Sequence, residues 1–336
     1  MSLRESYTIK SVDFRSLIGV TAPTFSEMVK KFNISFPSDT PHQGTAKNIM
    51  GPDIRNILEA RGYQYPKPAQ VISFLMCKGG VGKTTSSFFL AQRLSAYGAW
   101  VLAIDADSQG NLTSAFNLDQ FGIELDAETP ILIDAITDKC SITEAIIEVT
   151  PNLHLIPSTP LNANLEARIR EKYKNPSLPI KQIIEPLLGV YDFILIDCAP
   201  ALNLVNTSVT CASDTLILPV APDKFSQLGL EQTLNEISQI ERDFNISVKK
   251  RIIFTKFDAR EFTSLQYLAD TATRHRDKSF NTAIRICADV KNVITKREDL
   301  FLLKRSNAKE DYDSFAREIM GLDKPIKKSR PRTDNQ

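Results

Sequence analysis

Val71-Ile72-Ser73-Phe74-Leu75-Met76-Cys77-Lys78-Gly79-Gly80-Val81-Gly82-Lys83-Thr84 decides how this chain of 336 residues is read. The first six residues are almost continuously apolar, as a strand covered on both faces requires. Thr85 to Tyr97 is amphipathic and reads as a helix. Between the two, Gly79, Gly80 and Gly82 let the backbone curl so that several N–H groups point inward at an anion. The helix beginning near Lys83 adds the positive end of its dipole. A strand, a glycine-rich loop and a helix in this order form a phosphate cradle. In it, Lys83 reaches the β- and γ-phosphates and the Thr84 hydroxyl ligates Mg²⁺.

The common loop of this kind opens with glycine, but here Cys77 stands first and a second lysine, Lys78, follows it. This pattern resembles the deviant Walker A loop of the ParA/MinD family of ATPases. The resemblance implies ATP and Mg²⁺ as ligands. It assigns Lys78, Gly79, Gly80, Val81, Gly82, Lys83, Thr84 and Thr85 to the nucleotide. It also implies that Lys78 acts across a dimer interface on the partner's nucleotide.

Further along, short β-branched runs alternate with helical segments. The predicted strands are Val71–Met76, Trp100–Ala106, Leu153–Pro157, Phe193–Asp197, Thr215–Val220 and Arg251–Lys256. Such alternation means an α/β fold with a doubly wound, mostly parallel sheet. Asp105-Ala106-Asp107-Ser108-Gln109-Gly110-Asn111 gathers carboxylates and amides at a strand end, where ligands bind in open sheets. It is similar to the family's switch segment, which implies that Asp107 positions the attacking water and Asp105 holds water on Mg²⁺. Phe193-Ile194-Leu195-Ile196-Asp197 makes a Walker B strand, with Asp197 accepting hydrogen bonds from metal-bound water. By resemblance, Pro222 and Asp223 lie near the adenine and Thr255 contributes to the base side. Ala308 to Glu318 is similar to the family's closing helix.

Apolar residues make up 42% and charged residues 24% of the chain, as in globular proteins. The net charge of +1 argues for no global field, so any basic surface is local. No apolar run approaches the roughly 20 residues that span a bilayer, and no signal-peptide layout is seen. The expectation is a cytoplasmic, nucleoid-associated protein without a membrane partner. The five cysteines include no C-x-x-C pair, which leaves metal and redox motifs unsupported.

The chain is expected to divide into four parts. Residues 1–62 form a small all-α domain, 63–68 a linker, 69–322 the ATPase and 323–336 a basic disordered tail. Helices over Ser11–Ile18 and Ala22–Phe32, with Thr21 as cap, resemble the helix–turn–helix start of MerR-like DNA-binding domains. Residues 1–62 carry eight Lys/Arg against six Asp/Glu, and a helical dimerisation cap is the other reading. Candidate DNA contacts lie at Lys249-Lys250-Arg251, at Arg274 with Arg276 and Lys278, at Lys296-Arg297 and at Lys304-Arg305.

The family resemblance implies a partition ATPase. ATP drives a homodimer onto DNA without sequence preference, a ParB-type partner bound to a centromere stimulates hydrolysis, and the N-terminal domain represses the operon. Two alternatives stand beside it: a MinD-like membrane-cycling ATPase and a transcription regulator tuned by ATP. The tail, with its prolines and single isoleucine at Ile326, argues against membrane insertion.

Overall fold

The computed structural model describes residues 7–34, 36 and 47–323; the expected basic tail from residue 324 onward lies outside them. Among the described residues there are ten strands. Thr8–Lys10 (β1) and Asn48–Met50 (β2) form a two-stranded antiparallel ribbon. The others are Gln70–Phe74 (β3), Val101–Asp105 (β4), Ile147–Thr150 (β5), Leu153–Ile156 (β6), Phe193–Asp197 (β7), Thr215–Val220 (β8), Lys249–Phe257 (β9) and Ser279–Arg285 (β10). These eight form one sheet in the order β10-β9-β8-β3-β7-β4-β6-β5, parallel except for the β5–β6 edge pair.

Both faces of this sheet are dry, and the alternation of side chains explains why the strands read as continuous apolar runs. Ile72, Phe74, Val101, Ala103, Phe193, Leu195 and Ile217 enter one core. Val71, Leu102, Ile104, Ile194, Ile196, Leu216 and Leu218 enter the other. All six predicted strands form. β5 and β10 were not predicted. β5 is a four-residue edge, and β10 (Ser279-Phe280-Asn281-Thr282-Ala283-Ile284-Arg285) is polar at alternate positions because its edge is only half covered.

The N-terminal unit departs from an all-α domain by the β1–β2 ribbon. Strands of three residues leave no readable periodicity. Its helices, Ser11–Leu17, Ala22–Lys31 and Gly51–Ala60, fall where the sequence places them. Thr21 caps the second, accepting from the Thr24 amide. The unit is not tethered loosely. Phe14, Ile49, Ile54, Ile57 and Leu58 are fully buried in the same core that takes Phe89 and Phe315 of the ATPase part. Burial of such side chains contributes roughly 1.5–3 kcal/mol each.

The segment read as a linker is also pinned. Tyr63 donates to the Met320 carbonyl at 2.9 Å and the buried Tyr65 to the Tyr97 carbonyl at 2.6 Å. The Arg55 guanidinium stacks over the Tyr65 ring, 3.9 Å from its centroid, and reaches Asp192 at 2.6 Å. Asp192 is wholly buried and also accepts from the Trp100 amide at 2.7 Å.

The Gly51–Ala60 helix starts against the turn that ends the Lys83–Ala96 helix. A Cβ on Gly51 would stand 2.4 Å from the Ser95 carbonyl oxygen, and one on Gly98 2.5 Å from the Gly51 oxygen. The two backbones cross where neither tolerates a side chain.

Two stability outcomes follow from this seam. Arg55→Ala leaves the buried Asp192 carboxylate with only the Trp100 amide at 2.7 Å and the more exposed Lys67 at 3.4 Å, and the expected loss is about 3 kcal/mol, the low end for a broken buried pair. Gly51→Ala should lower the melting temperature clearly, whereas Gly189→Ala, which meets no atom within 4 Å, should leave it nearly unchanged. Equal melting temperatures for the two glycine variants would refute the close crossing.

Candidate nucleotide-binding site

The site is set by strand register. Phe74, the last residue of β3, lies opposite Asp197 of β7, and Asp197 lies opposite Asp105 of β4. The glycine loop therefore leaves the sheet beside two strand-end aspartates, at the carboxyl edge where open α/β sheets bind ligands. Gly80 and Gly82 take left-handed φ values of 74° and 89°, which side chains disfavour. Gly82 is the N-cap of the Lys83–Ala96 helix.

The loop is held from beneath and beside. Thr255 donates its hydroxyl to the Val81 carbonyl at 2.7 Å, and Lys256 donates Nζ to the Gly80 carbonyl at 2.6 Å. A cavity of about 510 Å³ opens over the loop. Gly79, Gly80, Gly82, Lys83, Thr84, Thr85 and Asp107 line it.

Lys83 is buried, and its Nζ lies 3.4 Å from the Lys78 carbonyl. Desolvation lowers its pKa, against the pull of nearby Asp197 and Asp107. Asp197 is fully buried, and neither carboxylate oxygen has a donor of good hydrogen-bond geometry. Burial pushes its pKa up to about 8. The neighbouring Asp105 adds to the rise, and the Thr84 hydroxyl and Lys83 counter it.

An orphaned buried carboxylate beside the loop threonine fits a divalent cation, whose charge would replace the missing donors. Among the described residues, no group of three or more His, Cys, Asp or Glu side chains could hold a metal by itself. Phosphate oxygens would have to complete such a site.

Asp105 was expected at the metal, but its carboxylate is engaged. It accepts from the Thr113 amide and hydroxyl, both at 2.8 Å, and from the Asp107 amide at 3.2 Å. Burial raises its pKa to about 6 even against these donors. What it visibly does is fasten the loop after β4 to the Asn111–Ala115 helix. Asp107 lines the cavity. Its Oδ1 accepts from the Gln109 amide at 3.0 Å, and its carbonyl accepts from Ser158 Oγ at 2.6 Å.

Lys78 is not in this cavity. Its ammonium meets Asp223 at 2.7 Å and Ser226 Oγ at 3.0 Å within the same chain, beside the exposed Phe225 ring. Burial works to raise the Asp223 pKa, but the Lys78 ammonium and the Ser226 donors outweigh it and hold the carboxyl below its ordinary range.

The expected base-side residues stand outside this cavity in the nucleotide-free chain. Pro222, Asp223 and Thr255 do not line the cavity, because Asp223 caps the Lys224–Phe244 helix and binds Lys78, and Thr255 braces the loop. Asn117, Pro200 and Ile294 line it instead, along with Asn111 and Lys256 of the segments singled out in the sequence. No motif marks Asn117 or Ile294; folding alone brings them there.

The proposed DNA contacts differ in availability. Lys250 is paired with Glu241 at 2.6 Å, Arg251 with Glu318 at 3.1 Å, Lys278 with Asp277 at 2.9 Å, and Arg297 with Asp119. Lys249, Arg274, Arg276, Lys296 and Arg305 are exposed. All five cysteines are free thiols. No helix of the described residues is long and apolar enough to cross a membrane.

Comparison with known proteins agrees with this fold. Residues 69–250 match the family model described as "AAA domain". The chain is 29% identical over 253 residues to the sporulation initiation inhibitor protein Soj of Bacillus subtilis, covering 74% of this chain and 98% of Soj. It is 28% identical over 221 residues to the chromosome partitioning protein ParA of Caulobacter vibrioides, covering 65% of this chain and 80% of that protein. A solved plasmid partition protein of Borrelia burgdorferi B31 bound to AMPPNP superposes with a TM-score of 0.64 at 25% identity, covering 76% of this chain and 99% of that one. A complex of a Cyanothece McdA variant with ATP shares the fold, with a TM-score of 0.69 at 23% identity over 76% of this chain and 98% of that one.

The raised pKa of Asp197 has a definite sign. An unfolded aspartate titrates near 4, so between about pH 4 and about pH 8 the folded, nucleotide-free chain keeps a proton that the unfolded chain has lost. Stability conferred by that proton falls as pH rises through this window. Asp197→Asn should melt higher than the parent without nucleotide, by a margin that widens from about pH 5 to about pH 8, while ATP hydrolysis is lost. A margin independent of pH would show that Asp197 does not titrate there.

Proposed function

Since the chain belongs to the ParA-type partition ATPases, built on the AAA domain, we propose that it hydrolyses ATP with Mg²⁺ in the loop cavity as a homodimer that binds DNA. In this reading Lys83 and the loop amides hold the phosphates, and Thr84 and Asp197 hold the metal, with Asp105 keeping the adjoining loop in place. Magnesium supplies charge neutralisation at the transferring phosphoryl group. Asp107, at the cavity wall, orients the attacking water.

The observation that carries the dimer is the position of Lys78. It stands outside its own cavity, at a rim where Phe225 and Leu228 are 73% and 58% exposed. Phe262 and Leu265, on the neighbouring helix, are exposed as well. Gln227 joins the two helices through a 2.8 Å hydrogen bond to Thr271. Exposed apolar side chains around a cation suit burial against another surface. Exchange of Asp223 for a partner's nucleotide would let Lys78 stabilise the transferring phosphoryl group from outside. ATP then joins two subunits until it is hydrolysed.

DNA binding without sequence preference would rest on phosphate contacts from exposed cations such as Arg274, Arg276 and Lys296. The Ser11–Leu17 and Ala22–Lys31 helices are separated by a short turn at Ile18–Thr21. The second exposes Thr24, Ser26, Glu27, Lys30 and Lys31. This face is the candidate for operator recognition and autorepression. A ParB-type partner stimulates turnover, and the protein works at the nucleoid.

Fluorescence anisotropy with a random-sequence duplex tests the reading. Binding should be tight with ATP, weak with ADP, salt-sensitive and lost in Lys78→Gln. Absence of binding in both nucleotide states would refute it.

A further inference from the structure

A second cavity, of about 760 Å³, lies where the N-terminal unit meets the Asn307–Met320 helix. Its wall carries seven Lys/Arg side chains against four Asp/Glu. Two of those acids are committed. Asp313 takes Arg93 at 2.5 Å and Arg317 at 3.2 Å, and Glu310 takes Arg285 at 3.3 Å. A positive excess is left at the seam.

Lys10, at the end of β1, and Lys309, in the first turn of the closing helix, are crowded together there. Burial lowers the Lys309 pKa, the Lys10 ammonium lowers it further, and Asp13 of the same wall offsets this only in part. Lys309 donates to the Leu303 carbonyl at 3.0 Å. Among the described residues, Lys10, Arg61, Arg305 and Lys309 form no salt bridge. Arg61 donates one terminal nitrogen to the Ile18 carbonyl at 2.8 Å, while its buried Nε has no acceptor. The closing helix begins at this cavity, with Ser306 as its cap, so its free amides add to the positive field.

Like charges held this close repel one another unless an anion stands between them. Two distant parts of the chain bring them together, and an orphaned guanidinium N–H adds a donor to the same wall. We propose that this seam is a phosphate-binding site, separate from the ATP loop, that takes phosphoryl groups of a DNA backbone. Lys304 and Arg305 are exposed and carry the positive charge from the cavity onto the surface, which suits an extended polyanion better than a compact one. The DNA identity of the ligand rests on the function proposed above; the phosphate chemistry of the site does not.

The test uses the full chain, Lys10→Gln/Lys309→Gln and the exposed single variant Arg305→Gln, which cannot disturb the core. In the ATP state, the double variant should bind random duplex DNA more weakly, and the slope of log K against log salt should flatten by about two; Arg305→Gln should flatten it by about one. In a second arm, inorganic pyrophosphate is added to protein saturated with Mg²⁺–ADP. A rise in melting temperature seen with the parent and absent in the double variant would support a seam site for a free phosphate. That result, with no DNA binding by the parent, would keep the site and refute the DNA reading. Unchanged DNA affinity, salt slope and pyrophosphate response in both variants would overturn the seam site itself.

Discussion

The fixed register of three parallel strands is the constraint on which this structure depends. β3, β7 and β4 align so that Phe74, Asp197 and Asp105 share one level at the carboxyl edge. Two-sided burial enforces this. Phe193 and Leu195 serve one core and Ile194 and Ile196 the other, so a slip of one residue would exchange the faces and drive Asp197 among apolar side chains. The same burial strips Asp197 of water and donors, which leaves a carboxylate whose missing partners a cation can supply.

The other end of β7 is constrained just as firmly. Asp192, immediately before the strand, is wholly buried and held by Arg55 of the N-terminal unit. One short strand thus has the N-terminal unit's clasp at its start and the candidate metal carboxylate at its end. With Gly51 and Gly98 in backbone contact and a shared aromatic and aliphatic core, the N-terminal unit belongs to the body of the ATPase. Any ligand on that unit acts on a surface continuous with the nucleotide half.

The two loop lysines illustrate how position divides roles between identical chemistries. Lys83 sits at the start of its helix, buried against the foot of the loop, where its charge costs desolvation and is offset by Asp197 and Asp107. Lys78, five residues earlier, rests on Asp223 and Ser226 in partial contact with water. A half-exposed pair of this kind is worth little and is exchanged more readily than a buried one.

The parallel sheet, the glycine loop and the placing of Lys83, Thr84 and the strand-end aspartates beside it were legible in the sequence. Each rests on local chemistry: apolar runs dictate buried strands, and glycines at set spacing dictate a turn that backbone sterics permit. The partners that complete the site were not. Thr255 bracing the loop, Asp105 spent on Thr113, Asp223 holding Lys78, and Asn117 and Ile294 in the cavity wall are meetings of segments that lie apart in the chain, most of them by tens to hundreds of residues. The N-terminal clasp and the crowded Lys10 and Lys309 belong to the same class. The sequence determined which segments become the central strands, the helices and the glycine loop, because that follows from each residue's own backbone preference and periodicity. Only the tertiary structure decided which polar side chains meet, because burial and charge pairing depend on what packing brings within a few ångströms.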